Sequence, residues 1–270
     1  MTEHVVFRRS PELRRPYLLI GLGGWPDAGN VSTYSVSYLK DKLECSKFGE
    51  IEPSGFYYYA FRRPAVKIKA GLTRSYRLPR NELFYWNNKE GAHDLVVLLG
   101  VEPDLNWPTY VESILRISKD LNVQRIYAIG GVADRVPHTV ETPVTASVSS
   151  QNLADEVTRQ GMDLTEYAGP SSVHSLIVHE CSKAGIEVIS VWGHTPLYVK
   201  KKNSKAAYHV LRKVTKMMEI TVDLDDLIRE GERLNKRLDR EAERNPQLRG
   251  LVESLDAEYS LSRRRPTYIT

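Results

Sequence analysis

Residues Tyr17–Thr33 read YLLIGLGGWPDAGNVST. The apolar residues of Tyr17–Leu22 are contiguous and do not alternate, which predicts a strand buried on both faces, as in a parallel sheet. Gly23 and Gly24 follow, and Asp27 then reads as the cap of a helix reaching about Leu43, with Val31, Tyr34 and Tyr38 on one face. The stretch poses a choice between a loop that cradles phosphate and a loop that only turns a corner. A P-loop needs a lysine and a hydroxyl residue directly after its last glycine, and GLGGWPDAGN has neither. The dinucleotide fingerprint is matched at Gly21 and Gly23, but Pro26 stands where its third glycine belongs. No cation lies between Arg15 and Lys40, and Asp27 would repel an anion at the helix start. The loop therefore reads as a tight turn.

Outward from this turn, strand-like and helix-like segments alternate. Glu50–Trp86 is rich in Tyr, Phe and Val but broken by prolines and Gly71, so it reads as short strands including hairpins. His93–Val101 is a buried strand, after which Asn106 reads as an N-cap and Pro108 as the first turn of a helix to about Leu121. Val123–Gly131, the TPVTASVSS stretch and IEVISVWGHTP read as further strands. Helices are expected over QNLADEVTRQG, from Ser171 or Ser172 to Ala184, and over Lys205–Met218. The expected fold is α/β, a largely parallel or mixed central sheet with helices on both faces, spanning residues 1–220.

From about Thr221 the character changes. Leu224, Leu227, Ile228, Leu234 and Leu238 recur at helical spacing among charged residues, Pro246 breaks the pattern, and Leu248, Leu251, Val252, Leu255 and Tyr259 resume it. This predicts a C-terminal helical hairpin over 221–262, packed on its own core, and an exposed tail over 263–270. Composition bounds the class: 41% hydrophobic and 27% charged residues are ordinary for a globular protein, and no apolar run is long enough to span a bilayer. The N-terminus lacks the apolar core of a signal peptide. Cys45 and Cys181 are isolated, so neither a disulfide framework nor a metal pair is expected, and the setting reads as cytoplasmic. The net charge of +4 is mild, and the clusters at Lys200–Lys202 and Arg263–Arg265 read as solvated faces; no nucleic-acid partner is expected.

Four loops after expected strands carry the polar residues: GGWPD, GVEPDLNW, GGVADRVPH and VWGHTPLY. In a parallel sheet these gather at one edge, which would bring Asp27, Glu102, Asp134, His138 and His194 together. A carboxylate beside a histidine suits general acid–base work, while the plainer account makes the carboxylates turn caps and the histidines backbone-bonded. Neither an HExxH nor a GxSxG pattern occurs, so no metal and no serine nucleophile are assigned. Cys181 lies mid-helix and reads as packing.

The ordered set GWPDAGN (Gly24–Asn30), GVEPDLNW (Gly100–Trp107), VADRVPHT (Val132–Thr139), YAGPSSV (Tyr167–Val173) and WGHTPLYV (Trp192–Val199), with NPQL in the terminal hairpin, resembles the proteasome assembly chaperone 2 family in its bacterial and archaeal branch. The resemblance runs from about Pro16 to Tyr259. It implies an α/β sandwich similar to purine nucleoside phosphorylases, followed by C-terminal helices. It also implies a non-catalytic role in holding other proteins: proteasome-related or other cytosolic partners, and homo-oligomers, as trimers or pentamers. Some archaeal relatives end in a hydrophobic–tyrosine–any-residue tail that docks into the proteasome; here Tyr268–Ile269–Thr270 puts the tyrosine third from last.

Two functions remain open. One is a scaffold or assembly chaperone needing no cofactor, with Trp25 and Trp107 as packing anchors. The other is a hydrolase or phosphorylase acting on a nucleoside-like substrate, with Asp27, Glu102, His138 and His194 as its catalytic groups. Under either, the expected ligand-facing set is Gly23, Gly24, Trp25, Asp27, Glu102, Trp107, Arg135, His138, Gly169 and His194. Arg135 is the clearest cation near these motifs, fewer than a phosphate site calls for.

Overall fold

The computed structural model describes residues 4–264. The chain runs through β1 (Val5–Phe7), β2 (Tyr17–Gly23), α1 (Val31–Lys42), β3 (Ser46–Ile51), β4 (Ala65–Lys69), β5 (Leu72–Arg77) and β6 (Asn81–Trp86). It continues through β7 (Leu95–Val101), α2 (Trp107–Asp120), β8 (Arg125–Asp134), β9 (Val144–Val148), α3 (Gln151–Arg159) and β10 (Asp163–Leu164). The last elements are α4 (Val173–Lys183), β11 (Glu187–Pro196), α5 (Ser204–Met217), α6 (Asp225–Arg244) and α7 (Pro246–Arg264).

The contiguous apolar run of β2 lies at the middle of a nine-stranded sheet, ordered β1-β3-β6-β7-β2-β8-β11-β9-β10. Strands β7, β2, β8 and β11 are mutually parallel, with Leu19 opposite Val97 and Tyr127. Antiparallel strands flank them on both sides, so the sheet is mixed. Both faces are covered, as contiguous hydrophobicity requires. Leu19, Tyr127, Ile129 and Val191 pack under α1, α3 and α5, whereas Leu18, Ile20, Ile126 and Val188 pack under α2 and α4. Each side chain so buried contributes roughly 1.5–3 kcal/mol relative to exposure.

Helix α6 buries Leu227, Leu234, Leu238 and Ala242 along one face, and α7 buries Val252 and Leu255. The apolar stripe of α6 is thus covered within the chain, with α6 lying on α5 and α7 on α6, whereas Leu251 and Leu261 of α7 are exposed. Residues 265–270 of the expected tail lie outside the described residues.

Two local expectations need correction. Helix α1 begins at Val31, one 3-10 turn (Ala28–Asn30) later than a cap at Asp27 implies. Asn106 directly precedes α2 but does not cap it; its backbone is left-handed (φ 54°) and its side-chain amide donates to the Gly55 carbonyl at 2.7 Å. The short strands expected within Glu50–Trp86 are present, a hairpin included, and divide between two sheets: among the described residues β3 and β6 join the main sheet while β4 and β5 pair only with each other.

Candidate functional site

Because β7, β2, β8 and β11 are parallel, the loops that follow them share one edge of the sheet. The glycine turn sits there. Gly24 adopts φ +124°, a conformation that L side chains resist, and the Asp27 N–H donates to the Gly24 carbonyl at 3.3 Å. The Pro26 carbonyl accepts from the Gly131 N–H at 2.8 Å, joining the turn to β8. The Asp27 carboxylate accepts from the Thr33 N–H at 3.0 Å and the Thr33 hydroxyl at 2.6 Å. It therefore serves the amino end of α1 across the 3-10 turn, at the place where a bound anion would sit. Burial raises its pKa, and the bonds from Thr33 oppose that rise.

Glu102, buried just after β7, accepts from the Trp25 N–H at 3.2 Å and from the Val173 N–H at 2.9 Å. One carboxylate thereby ties the loop after β2, the loop after β7 and the amino end of α4, where Ser172 also caps by accepting from the His174 N–H. Burial raises the Glu102 pKa, and the two backbone donors hold it down.

On β8 and β11, Asp134 accepts from His194 Nδ1 at 2.7 Å, and His194 Nε2 lies 3.1 Å from the Thr145 hydroxyl. The hydrogen bond from His194 lowers the Asp134 pKa. His138, also buried, meets the Tyr198 hydroxyl at 2.7 Å through Nδ1 and Asp239 of α6 at 3.0 Å through Nε2. Its backbone N–H donates to the same hydroxyl at 2.8 Å. A proton on Nε2, with the Tyr198 hydroxyl donating to Nδ1, satisfies all three contacts. Lys205 Nζ donates to the carbonyls of His138 and Val140, both at 2.6 Å.

The polar residues expected at this edge are all present, but they form separate networks. No hydrogen bond among the described residues joins Glu102 to His138 or Asp27 to His194. Arg135 points outward and pairs with Glu258 of α7 at 2.8 Å. Gly23 ends β2 opposite Val101, and Gly169 leaves room for the Tyr167 ring, whose hydroxyl donates to the Pro170 carbonyl. Trp107 is half-buried and donates to the Pro103 carbonyl. Trp25, expected to anchor packing, is instead 60% exposed, because Gly24 turns the chain outward and Glu102 fixes the Trp25 backbone, leaving the ring free. Leu105 and Tyr167 are exposed on the neighbouring loops.

The enclosed space among His138, His194, Lys205 and Leu238 measures about 10 Å³, room for roughly one water. Metabolite sites are larger, on the order of 300 Å³ or more. A depression of about 420 Å³ is lined by Arg14, Asn88 and Asp94, at the opposite edge of the sheet where β2 and β7 begin. Among the described residues no group of three His, Cys, Asp or Glu side chains is placed to hold a metal ion, and no helix is long and apolar enough to cross a membrane. Burial pushes the Cys45 and Cys181 thiols up to about 12, away from nucleophilic use. Sequence reading missed Tyr198, Asp239, Thr145 and Lys205, whose link to the site comes only through folding across 49 to 101 residues.

The geometry defines an α/β protein whose strand-end edge is built of structural hydrogen-bond networks beneath exposed aromatic side chains. The sequence profile of the PAC2 family matches residues 21–242, and the chain belongs to that family. Among solved structures, a Mycobacterium tuberculosis proteasome-assembly chaperone homologue is 27% identical, with TM-score 0.78 over 83% of this chain and 94% of its own. A Corynebacterium glutamicum protein of unknown function is 23% identical, with TM-score 0.86 over 97% of this chain and 100% of its own. The Pyrococcus furiosus protein PbaB, an archaeal proteasome activator, is 20% identical, with TM-score 0.71 over 87% of this chain and 97% of its own. A search of curated proteins gives no match.

Proposed function

We propose that this chain is a non-enzymatic, protein-binding scaffold of the assembly-chaperone type. One observation carries the reading. Each candidate acid or base at the strand ends is committed to holding the protein together. Glu102 holds two backbone N–H groups, Asp27 serves the start of α1, Asp134 and His194 hold each other, and His138 is clamped between Tyr198 and Asp239. Catalysis needs a group free to exchange a proton with a substrate lying within hydrogen-bond reach. A space of about 10 Å³ beside two of these groups admits no nucleoside.

In this reading Gly23, Gly24, Asp27, Glu102, His138, Gly169 and His194 shape the edge, while Trp25, with Trp107 and Arg135 flanking, meets the partner. Exposed aromatic side chains suit that task, since Trp and Tyr dominate binding energy at protein interfaces. The relatives suggest a proteasome-related partner: the M. tuberculosis protein is a proteasome-assembly chaperone homologue and PbaB is a proteasome activator. The chain also associates with itself, as a trimer or pentamer, in a cytoplasmic setting that keeps its two unpaired thiols reduced.

Thermal melts with light scattering test the reading on the wild type, Glu102→Gln and His138→Ala, each with and without millimolar purine nucleoside and inorganic phosphate. At least one variant is expected to shift the melting temperature or the assembly size, with no ligand-dependent change in the wild type. Two variants of normal stability and size, together with saturable stabilisation of the wild type by either ligand, would overturn it.

A further inference from the structure

Helices α5 and α6 press together at Gly231, where a Cβ would fall 3.2 Å from both the Cα and the Cβ of Lys205. Beside this contact the seam opens into a cleft of about 140 Å³, lined by Lys205, Tyr208, His209, Leu227, Ile228 and Asn235. That is far more than one water needs and about half the smallest site of a drug-sized ligand. Leu227 and Ile228 give the cleft an apolar wall. Its polar lining is incompletely satisfied. Asn235 Oδ1 and His209 Nδ1 are buried without a hydrogen-bond partner. His209 Nδ1 does approach Glu141 at 3.2 Å, but out of line for a hydrogen bond. Lys205 Nζ donates to the carbonyls of His138 and Val140, which leaves a third proton for another acceptor. Burial lowers the Lys205 pKa, and Glu141 and Asp239 oppose that only from a distance. Folded proteins leave few buried polar groups unmatched, so two of them beside an open cleft point to a missing partner.

We propose that this cleft binds a short aliphatic hydroxy acid, its carboxylate on Lys205, its hydroxyl donating to Asn235 Oδ1 and its hydrocarbon against Leu227 and Ile228. The inference goes beyond the protein-binding reading and does not rest on it. Each part of the ligand answers one feature of the lining. A half-buried ammonium without a paired carboxylate favours an anion. The surroundings add to this preference: His209 is held neutral chiefly by burial, and Arg212, Lys205 and Lys213 reinforce that effect against Glu141, which is itself paired with Arg212 at 2.8 Å. Glu232, exposed, is the one acid lining the cleft among the described residues. An unmatched acceptor calls for a donor, which a hydroxyl supplies and a plain carboxylate does not. An inorganic anion would leave the wall of Leu227 and Ile228 wet, and a nucleoside exceeds the volume. The larger depression at the opposite edge of the sheet competes poorly, because its charged groups already brace a loop. Arg14 donates there to the Asn88 and Gly91 carbonyls, and Asp94 accepts from Arg14, Asn87 and Asn88.

Isothermal titration calorimetry on the full chain tests the proposal with β-hydroxybutyrate, with butyrate, which lacks the hydroxyl, and with the diol that carries an alcohol in place of the carboxylate. The wild type is expected to bind β-hydroxybutyrate saturably and each of the other two about tenfold more weakly, since each leaves a buried group unmatched. Asn235→Leu keeps the side-chain size and removes the unmatched acceptor. It is expected to melt at or above the wild-type temperature and to bind β-hydroxybutyrate about tenfold more weakly. Ile228→Trp fills the cleft and is expected to abolish binding while the far-ultraviolet circular dichroism spectrum stays unchanged. A wild type that shows no saturable binding would overturn the site. Undiminished binding by Ile228→Trp would place the ligand elsewhere and overturn it as well. Undiminished binding by Asn235→Leu would leave that acceptor to a water in the enclosed space of about 10 Å³ that Asn235 also lines, and would overturn the proposed contact. Butyrate or the diol binding as tightly as β-hydroxybutyrate would overturn the hydroxy-acid class.

Discussion

Glu102 is the residue on which the edge depends. Its two oxygens accept from Trp25 and Val173, and the Val173 N–H is buried. Glu102→Gln leaves one oxygen for two donors, so one backbone N–H loses its partner at a cost of about 1–3 kcal/mol, which fixes the sign expected in the melts above. His174 gives an independent test at the same scale. This histidine lies against Trp192 with one bond to the Ser190 hydroxyl, and burial lowers its pKa from 6.5 to about 4. The unfolded chain takes up this proton first as pH falls, so the contribution of His174 is complete above pH 6.5 and is lost down to about pH 4. The shift amounts to about 3 kcal/mol. Urea denaturation across pH 7 to 4 is expected to show this loss, and His174→Gln is expected to flatten it in part, since His209 is also pushed down to about 4, chiefly by burial. The residue types at this edge were legible from sequence because they follow strands. Their roles were not, because Asp239 reaches His138 from a helix 101 residues away and no spacing encodes that.

At the scale of elements, α1 lies on β2 more closely than a side chain would permit. A Cβ on Gly21 would fall 2.6 Å from Val36 Cβ and 3.1 Å from the Ser32 carbonyl, and Leu22 N–H donates to the Ser32 hydroxyl at 2.9 Å. Gly21→Ala must push the helix away at a cost of roughly 1–3 kcal/mol. A melting temperature lowered by several degrees is the expected result, and an unchanged one would show that α1 can shift freely. The long strands and helices were legible because periodicity reports burial directly, as in the contiguous run of β2 and the three-and-four spacing of α6. The start of α1 was not, because the Asp27 side chain reaches past a 3-10 turn to Thr33. The Tyr, Phe and Val richness of Glu50–Trp86 likewise predicted short strands but could not say that β4 and β5 stand apart from the main sheet.

For the whole molecule, the ordered motifs carried the family, and with it the fold. They did not predict that Trp25 stands outward or that β4 and β5 form a separate ribbon, because both depend on where loops leave the sheet. The combined picture is a protein with polar groups turned inward to brace its loops and aromatic groups turned outward to meet other chains. The most direct test is affinity capture of the tagged protein from a lysate of its own host cells, comparing the wild type with Trp25→Ala/Tyr167→Ala. The account predicts a protein recovered in stoichiometric amount with the wild type and lost with the double variant, both tagged proteins melting at the same temperature. An unchanged set of captured proteins with the double variant would contradict it.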